Sequence, residues 1–219
     1  MSFVDPNQFV ITRRRKKYKF ALFNNSPLCF EYDEWRSRPI DVLEIGAGTG
    51  LFSVELAARH PEQQFLAVDV KADRLQKGAR VAERRGLTNI WFVRARADQL
   101  GELCEAGSLS QLWVTFPDPF PRQRSSGRRL THPHFLTQYA KLLAEGGELL
   151  LKHDDHGFFC WSLEQLVVAG WQLRELTFDL HESEQLNEES DARIMTTYEQ
   201  RWVGEGKVIG FVRAVGPSG

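Results

Sequence analysis

The chain has 219 residues, enough for a full hydrophobic core within one domain, and 42% of them are hydrophobic. Its 28 Lys and Arg against 29 Asp and Glu leave a net charge of −1, which excludes a basic coat for nucleic acid and confines any electrostatic footprint to local patches. Cys29, Cys104 and Cys160 are odd in number and lack metal-type spacing, as suits a reducing compartment, and no apolar run fits a signal peptide or membrane span, so the expected location is cytoplasmic.

Residues 1–38 lack clear periodicity and are read as a basic, partly flexible arm preceding a domain at 39–219. They carry Arg13, Arg14, Arg15, Lys16, Lys17 and Lys19, with Tyr18, Phe20 and Phe23 close by. A charge run taken alone is more often merely a solvated face, but basic residues beside aromatics can also grip a phosphate backbone and stack on bases. Val42, Leu43 and Ile45 then suit a strand buried on both faces, and Gly46, Gly48 and Gly50 clear side chains from the loop after it. The loop feeds a helix through about His60, and ligands of open parallel sheets sit at the carboxyl ends of strands, so a ligand is expected here. A strand at 65–70 follows, then a helix with Leu75, Ala79 and Ala82 on one face, ended by Gly86. Strands are predicted at 89–93 and 111–116, with a short helix at 98–104 between them. Phe135, Tyr139, Leu142 and Leu143 form a helical stripe that Gly146 and Gly147 stop before a strand at 148–152. Phe159, Leu163, Leu166 and Val167 mark a further helix, and strands near 172–178 and 207–212 close an α/β alternation. The acidic segment 181–191 between them is expected to be a surface loop that is disordered or displaced without a partner.

The spacing Gly46-x-Gly48-x-Gly50 argues against a dinucleotide, whose fingerprint wants its third glycine where Leu51 stands. Glu44 before the glycines and Asp69 at the end of the next strand suit a ligand with hydroxyls and a positive charge. S-adenosylmethionine has both. Asp69 would take its ribose hydroxyls, and Glu44 would lie near the amino-acid end or the sulfonium.

The strand at 111–116 runs into Phe116-Pro117-Asp118-Pro119-Phe120-Pro121, which fixes Asp118 between two prolines in a stiff loop. A rigid carboxylate costs little entropy to orient, as a positioning group should. Arg122, Arg124, Arg128 and Arg129 follow at once, a second basic patch suited to a polyanionic substrate, because arginine forks hold phosphates bidentately.

On these residues the chain resembles the bacterial tRNA (guanine-N7-)-methyltransferases. The motifs that carry the likeness are Glu44-Ile45-Gly46-x-Gly48-x-Gly50, Asp69, Phe116-Pro117-Asp118-Pro119 with its arginine tail, and Thr196-Thr197-Tyr198-Glu199. The resemblance implies a Rossmann-like class I methyltransferase fold, with a mostly parallel seven-stranded sheet, an antiparallel last strand and helices on both faces. It also implies S-adenosylmethionine as cofactor and tRNA as partner, with neither metal nor membrane and either a monomer or a homodimer. It places Glu44, Gly46, Gly48, Gly50, Asp69 and Asp118 at the donor, with Asp118 central to catalysis. Arg122, Asp154, Thr196, Thr197, Tyr198 and Glu199 would meet the guanosine.

Three departures stand out. Phe120 replaces the family's usual tryptophan, and His153-Asp154-Asp155 replaces its usual Thr-Asp-Trp. Arg96 stands where the family tends to place an acid or amide near the adenine, leaving Asp98 as a substitute. The residues His153, Asp154, Asp155 and His156, with His132 and His134, are alternative metal ligands, although no helical His-x-x-x-His pair is present to hold one. Two rival functions also stand: methyl transfer to a small molecule or protein, and a non-catalytic RNA-binding module with a degenerate donor pocket.

Overall fold

A computed structural model describes residue 5 and residues 14–217, without the side chains of residues 14–17 and 197. The basic run at 13–17 therefore lies wholly outside the described side chains. The chain divides into two compact units, Met1–Leu103 and Cys104–Gly219.

The first unit contains α1 (Arg14–Asn24), β1 (Cys29–Glu31), a single turn of helix at Tyr32–Glu34, β2 (Val42–Ile45), α2 (Leu51–Arg59), β3 (Phe65–Asp69), α3 (Ala72–Arg84), β4 (Ile90–Arg94), a turn at Ala97–Gln99 and α4 (Leu100–Leu103). Its strands lie in the order β1-β4-β3-β2, all parallel. Every residue of β2 and β3 is buried, which is why both read as near-continuous apolar runs. α3 turns Leu75, Ala79 and Ala82 into the core and ends at Gly86, whose φ of 68° is the left-handed value that closes helices.

The expected arm is corrected from Arg14 onward. Ala21, Phe23, Cys29 and Trp35 are buried, α1 packs on α3, and the Ser26 hydroxyl donates to Glu83 of α3. A packing boundary therefore does not fall at residue 38, and β1 is a strand the sequence reading lacks. The segment hid this because its apolar residues are spread over a helix, a three-residue strand and a turn, each too short to establish a period.

The second unit contains β5 (Leu109–Thr115), a 3-10 segment at Gln123–Arg128, α5 (Pro133–Leu142), β6 (Leu143–His153), α6 (His156–Val168), β7 (Gln172–Thr177), a turn at Asp191–Arg193, α7 (Thr197–Gly204) and β8 (Gly210–Val215). Its strand order is β5-β6-β8-β7, with β5 and β6 parallel and the last strand, β8, antiparallel to both neighbours. β6 begins at Leu143, ahead of the two glycines read as a break. Those glycines lie within the strand, where a Cβ on Gly147 would stand 2.8 Å from the Leu109 carbonyl, beside an irregularity in the β5–β6 register. On α6, Phe159 and Leu166 face inward, but Val167 is 60% exposed and is no part of the core stripe.

The acidic segment is a surface loop, as expected, but an ordered one. Arg193 donates to the carbonyls of His181 (2.9 Å), Ser183 (2.6 Å), Leu186 (3.0 Å) and Asn187 (3.2 Å), so one guanidinium draws the segment into a closed turn. Leu180 and Leu186 are buried beneath it. Composition alone marked the segment as surface; the arginine that organises it stands just beyond it in the sequence.

Candidate active site

In the first unit, Gly46, Gly48 and Gly50 take φ values of 71°, 57° and 67°, a conformation side chains resist. A Cβ on Gly50 would come within 2.6 Å of the Phe92 ring, whereas Gly48 faces open space. Asp69 braces this loop, accepting from the Gly48 amide at 2.9 Å and the Lys71 amide at 2.8 Å. Burial raises its carboxyl above the ordinary range, against the opposing pull of those two amides and of the Arg74 and Lys71 charges. Each Asp69 oxygen keeps a lone pair for a ligand hydroxyl. Glu44 is buried on β2 and accepts from the Ser53 hydroxyl of α2. A glycine-rich loop whose Gly48 faces open space, with Glu44 and Asp69 near the ends of the flanking strands, fits S-adenosylmethionine. Asp98 fits less well, because both its oxygens already accept from Arg96, at 2.9 and 2.7 Å. A ligand amine would have to displace that exposed guanidinium.

Sequence reasoning missed Gly78. A Cβ there would stand 2.4 Å from the Thr49 carbonyl and 2.7 Å from the Phe92 ring, so this helical glycine lets α3 approach the glycine loop. A glycine inside an otherwise strong helical pattern was the available signal. Gly78→Ala is expected to destabilise the fold by about 1–3 kcal/mol and to weaken donor binding, because the obstructing atom is loop backbone. Denaturant unfolding with donor calorimetry checks this; unchanged values would separate α3 from the loop.

In the second unit, Asp118 is exposed on a loop braced at both ends. Phe116 and Phe120 have φ of 48° and 41°, and each precedes a proline, which disfavours such backbone further. The surroundings hold both. The Phe116 amide donates to the Lys152 carbonyl at 2.9 Å, and the Phe116 ring lies 5.1 Å from Trp202. His153 bonds the Pro117 carbonyl through Nε2 at 2.8 Å and accepts the Asp155 amide on Nδ1 at 2.7 Å, which specifies the neutral Nε2–H form. At the exit, Arg129 donates to the Pro119 carbonyl at 3.0 Å and the Phe120 carbonyl at 3.1 Å, while its guanidinium covers Trp161. Arg129 is thus a brace, not one of four phosphate hands. Arg128 lies over the Phe120 ring, and Arg122 and Arg124 are exposed.

The same strand end holds the C-terminal motif. Lys152 is fully buried, and its ammonium donates to the Ala192 carbonyl (3.0 Å), the Ile194 carbonyl (2.8 Å) and Glu199 Oε2 (2.8 Å). His181 Nε2 meets Glu199 Oε1 at 3.0 Å. Thr196 caps α7, its hydroxyl accepting the Glu199 amide while Glu199 accepts the Thr196 amide. Burial would raise the Glu199 carboxyl, but His181, the Lys152 charge and bond and the Thr196 amide outweigh it and hold the group below the usual range. The expectation that Glu199 touches the substrate is therefore corrected: it has no exposed surface, and both oxygens are occupied. Tyr198 is 47% exposed, with its ring 5.9 Å from Trp202. Asp154 is paired with Lys207 at 2.7 Å. The run from His153 to His156 disperses, one side chain bonding the loop, one pairing with Lys207 and Asp155 capping α6. Among the described residues no group of three or more such side chains could hold a metal.

A family profile described as "Putative methyltransferase" matches residues 38–211. Over 201 residues the chain is 36% identical to the tRNA (guanine-N(7)-)-methyltransferase of Brevibacillus brevis, covering 90% of this chain and 91% of that protein. The chain belongs to the tRNA (guanine-N7-)-methyltransferase family. A member from Mycoplasmopsis agalactiae is 37% identical over 173 residues, covering 79% of this chain and 82% of its own. Among solved structures, the 16S rRNA methyltransferase KamB aligns with a TM-score of 0.60 at 18% identity, covering 84% of this chain and 90% of that one. The 16S rRNA (adenine(1408)-N(1))-methyltransferase of Catenulisporales acidiphilia, solved with SAM, gives 0.58 at 15% identity, covering 99% and 93%. These likenesses establish the class I methyltransferase fold.

Within the tRNA (guanine-N7-)-methyltransferase pattern, His153 in place of threonine acquires a reason: its ring spans from the Pro117 carbonyl to the Asp155 amide. Burial lowers its pKa from the ordinary 6.5, and Lys207 adds to this, against the pull of the Pro117 carbonyl, Asp154 and Asp155. The unfolded chain therefore binds the proton more readily, so stability from this ring is full above pH 6.5 and declines as pH falls below it. Unfolding free energy is expected to drop by up to about 1 kcal/mol per pH unit on that limb, a contribution that His153→Gln removes. An unchanged slope in the variant would refute the assignment.

Proposed function

We propose that the protein transfers the methyl group of S-adenosylmethionine to N7 of a guanine in the variable loop of tRNA, in the cytoplasm. The observation that carries this reading is the meeting of two family motifs at one strand end. Lys152 binds the start of the Pro-Asp-Pro loop through its carbonyl and the Thr196–Glu199 cap through its ammonium, although the motifs lie far apart in sequence. Glu44, Gly46, Gly48, Gly50 and Asp69 hold the donor, with Asp98 at its adenine end once freed from Arg96. Arg122 holds phosphate, while Asp154, Thr196, Thr197 and Tyr198 meet the guanosine, and Glu199 acts by fixing Thr196.

Bound S-adenosylmethionine supplies an electrophilic methyl group. Guanine N7 has an exposed lone pair and no proton, so the chain needs no general base and its task is positioning. Asp118, on a loop whose strained backbone is held at both ends, orients the reactants and offsets positive charge developing on the purine. Methyl incorporation from labelled donor should appear in bulk tRNA and not in free nucleosides or protein extract. Label in protein or small molecules alone would replace this reading with another methyltransferase, and donor binding without any transfer would replace it with a binding module.

A further inference from the structure

The net charge of −1 conceals an uneven distribution. Residues 1–103 carry 17 Lys and Arg against 13 Asp and Glu, whereas residues 104–219 carry 11 against 16. α1 carries five of these cations and no acid, and α3 carries four against two acids, Asp73 and Glu83. The inner side of α3 is uncharged, with Leu75, Gln76, Gly78, Ala79 and Ala82 buried, while Arg74, Lys77, Arg80 and Arg84 are exposed. At 100° per residue these four fall within about 120° of one another around the axis, and the span from Lys77 to Arg84 is about 10 Å, so their potentials add within one Debye length. Asp73, at the N-terminal end, is the acid on that stripe; Glu83 points elsewhere and bonds Ser26. Arg85 is neutralised by Glu55 at 2.6 Å, but among the described residues none of the four has a carboxylate within 4.0 Å, and Arg74 alone acts at longer range on an acid, Asp69.

This arrangement costs the helix stability. Arg74 and Lys77, Lys77 and Arg80, and Arg80 and Arg84 stand at i,i+3 or i,i+4 spacing, where like charges repel. Arg74 also sits near the helix N-terminus, where a cation opposes the helix dipole. Glutamate at positions 74 and 80 would solvate the face equally well while turning each like-charge pair into an opposite one and suiting the helix dipole at position 74, so solubility does not account for the choice. α1, packed against α3, adds an exposed Lys19 and an exposed Tyr18.

We propose that the outer face of α3, centred on Lys77, Arg80 and Arg84, is a docking surface for the phosphate backbone of the RNA substrate. The inference rests on the tRNA reading above and adds a contact surface to it. Arg74 is left out of the test because its charge acts on Asp69. In the full-length protein, Lys77→Gln/Arg80→Gln/Arg84→Gln should weaken tRNA binding at least tenfold at low salt. The slope of log affinity against log salt should fall by about 0.7–0.9 per lost contact. Donor affinity and turnover at saturating tRNA should remain at wild-type values, and the melting temperature should be no lower than wild type because like-charge repulsion along α3 is relieved. A control that removes exposed charge elsewhere, Lys141→Gln/Arg174→Gln, should keep the full slope. Wild-type methylation of tRNA with an unchanged slope in the triple variant overturns the surface while sparing the family reading. Failure of the wild type to methylate or bind tRNA overturns both. A slope lost equally in the control, or lost only on anionic lipid vesicles, also overturns the proposal, assigning the effect to overall charge or to a membrane.

Discussion

Asp118→Ala is expected to lower turnover on tRNA roughly 100- to 1,000-fold while leaving donor affinity within about twofold of wild type. Two features set this expectation. The carboxylate is exposed, so removing it opens no cavity and leaves no buried partner unpaired. Its backbone is held by His153 at Pro117 and by Arg129 at Pro119 and Phe120, so the loop should keep its course in the variant. Loss should therefore fall on the chemical step and not on folding. Arg129→Gln makes the comparison: it leaves Asp118 in place but frees the exit of a loop with two left-handed phenylalanines, and should lower turnover together with thermal stability. Normal transfer to bulk tRNA by Asp118→Ala would remove that residue from the mechanism.

Lys152→Met is expected to destabilise the protein by about 3–5 kcal/mol, the range for breaking a buried ion pair and stranding one charge. The estimate follows from the absence of exposed surface on either Lys152 or Glu199. It also follows from the loss of donors to Ala192 and Ile194, the carbonyls that lead into α7. The double variant Lys152→Met/Glu199→Gln should recover a large part of the loss, since the amide is uncharged and its oxygen can still accept the Thr196 amide. Urea unfolding of both variants decides this, and equal destabilisation of single and double would show that the charge itself is not the issue. Because Glu199 is held below its ordinary pKa of 4.5, its contribution to stability is full above that value and is lost as pH falls through the folded one.

Much of this architecture was legible in the residues. Buried parallel strands leave runs such as Phe65–Asp69, and α3 announced its core stripe through Leu75, Ala79 and Ala82. The glycine loop was legible because left-handed backbone and close approach both demand glycine. What escaped were residues whose role depends on distant partners. Lys152 looks like a strand-end cation, Arg129 like one more member of a basic run, and Gly78 like a weak spot in a helix. Each is explained by a carbonyl or ring remote in sequence. Glu199 erred in the other direction: an acid in a recognised motif invited direct contact with substrate, whereas burial assigns it to holding Thr196. The basic face of α3 was hidden by dispersal, since two or three other residues separate each of Arg74, Lys77, Arg80 and Arg84 from the next.

Sodium borohydride reduction followed by aniline cleavage, which breaks RNA chains at N7-methylguanosine, tests the central claim most directly. After incubation of unmodified tRNA with the protein and S-adenosylmethionine, a single new cleavage is expected at a guanine of the variable loop, absent with Asp118→Ala. Methyl incorporation into tRNA without any aniline-sensitive site, or cleavage spread over guanines throughout the molecule, would contradict it.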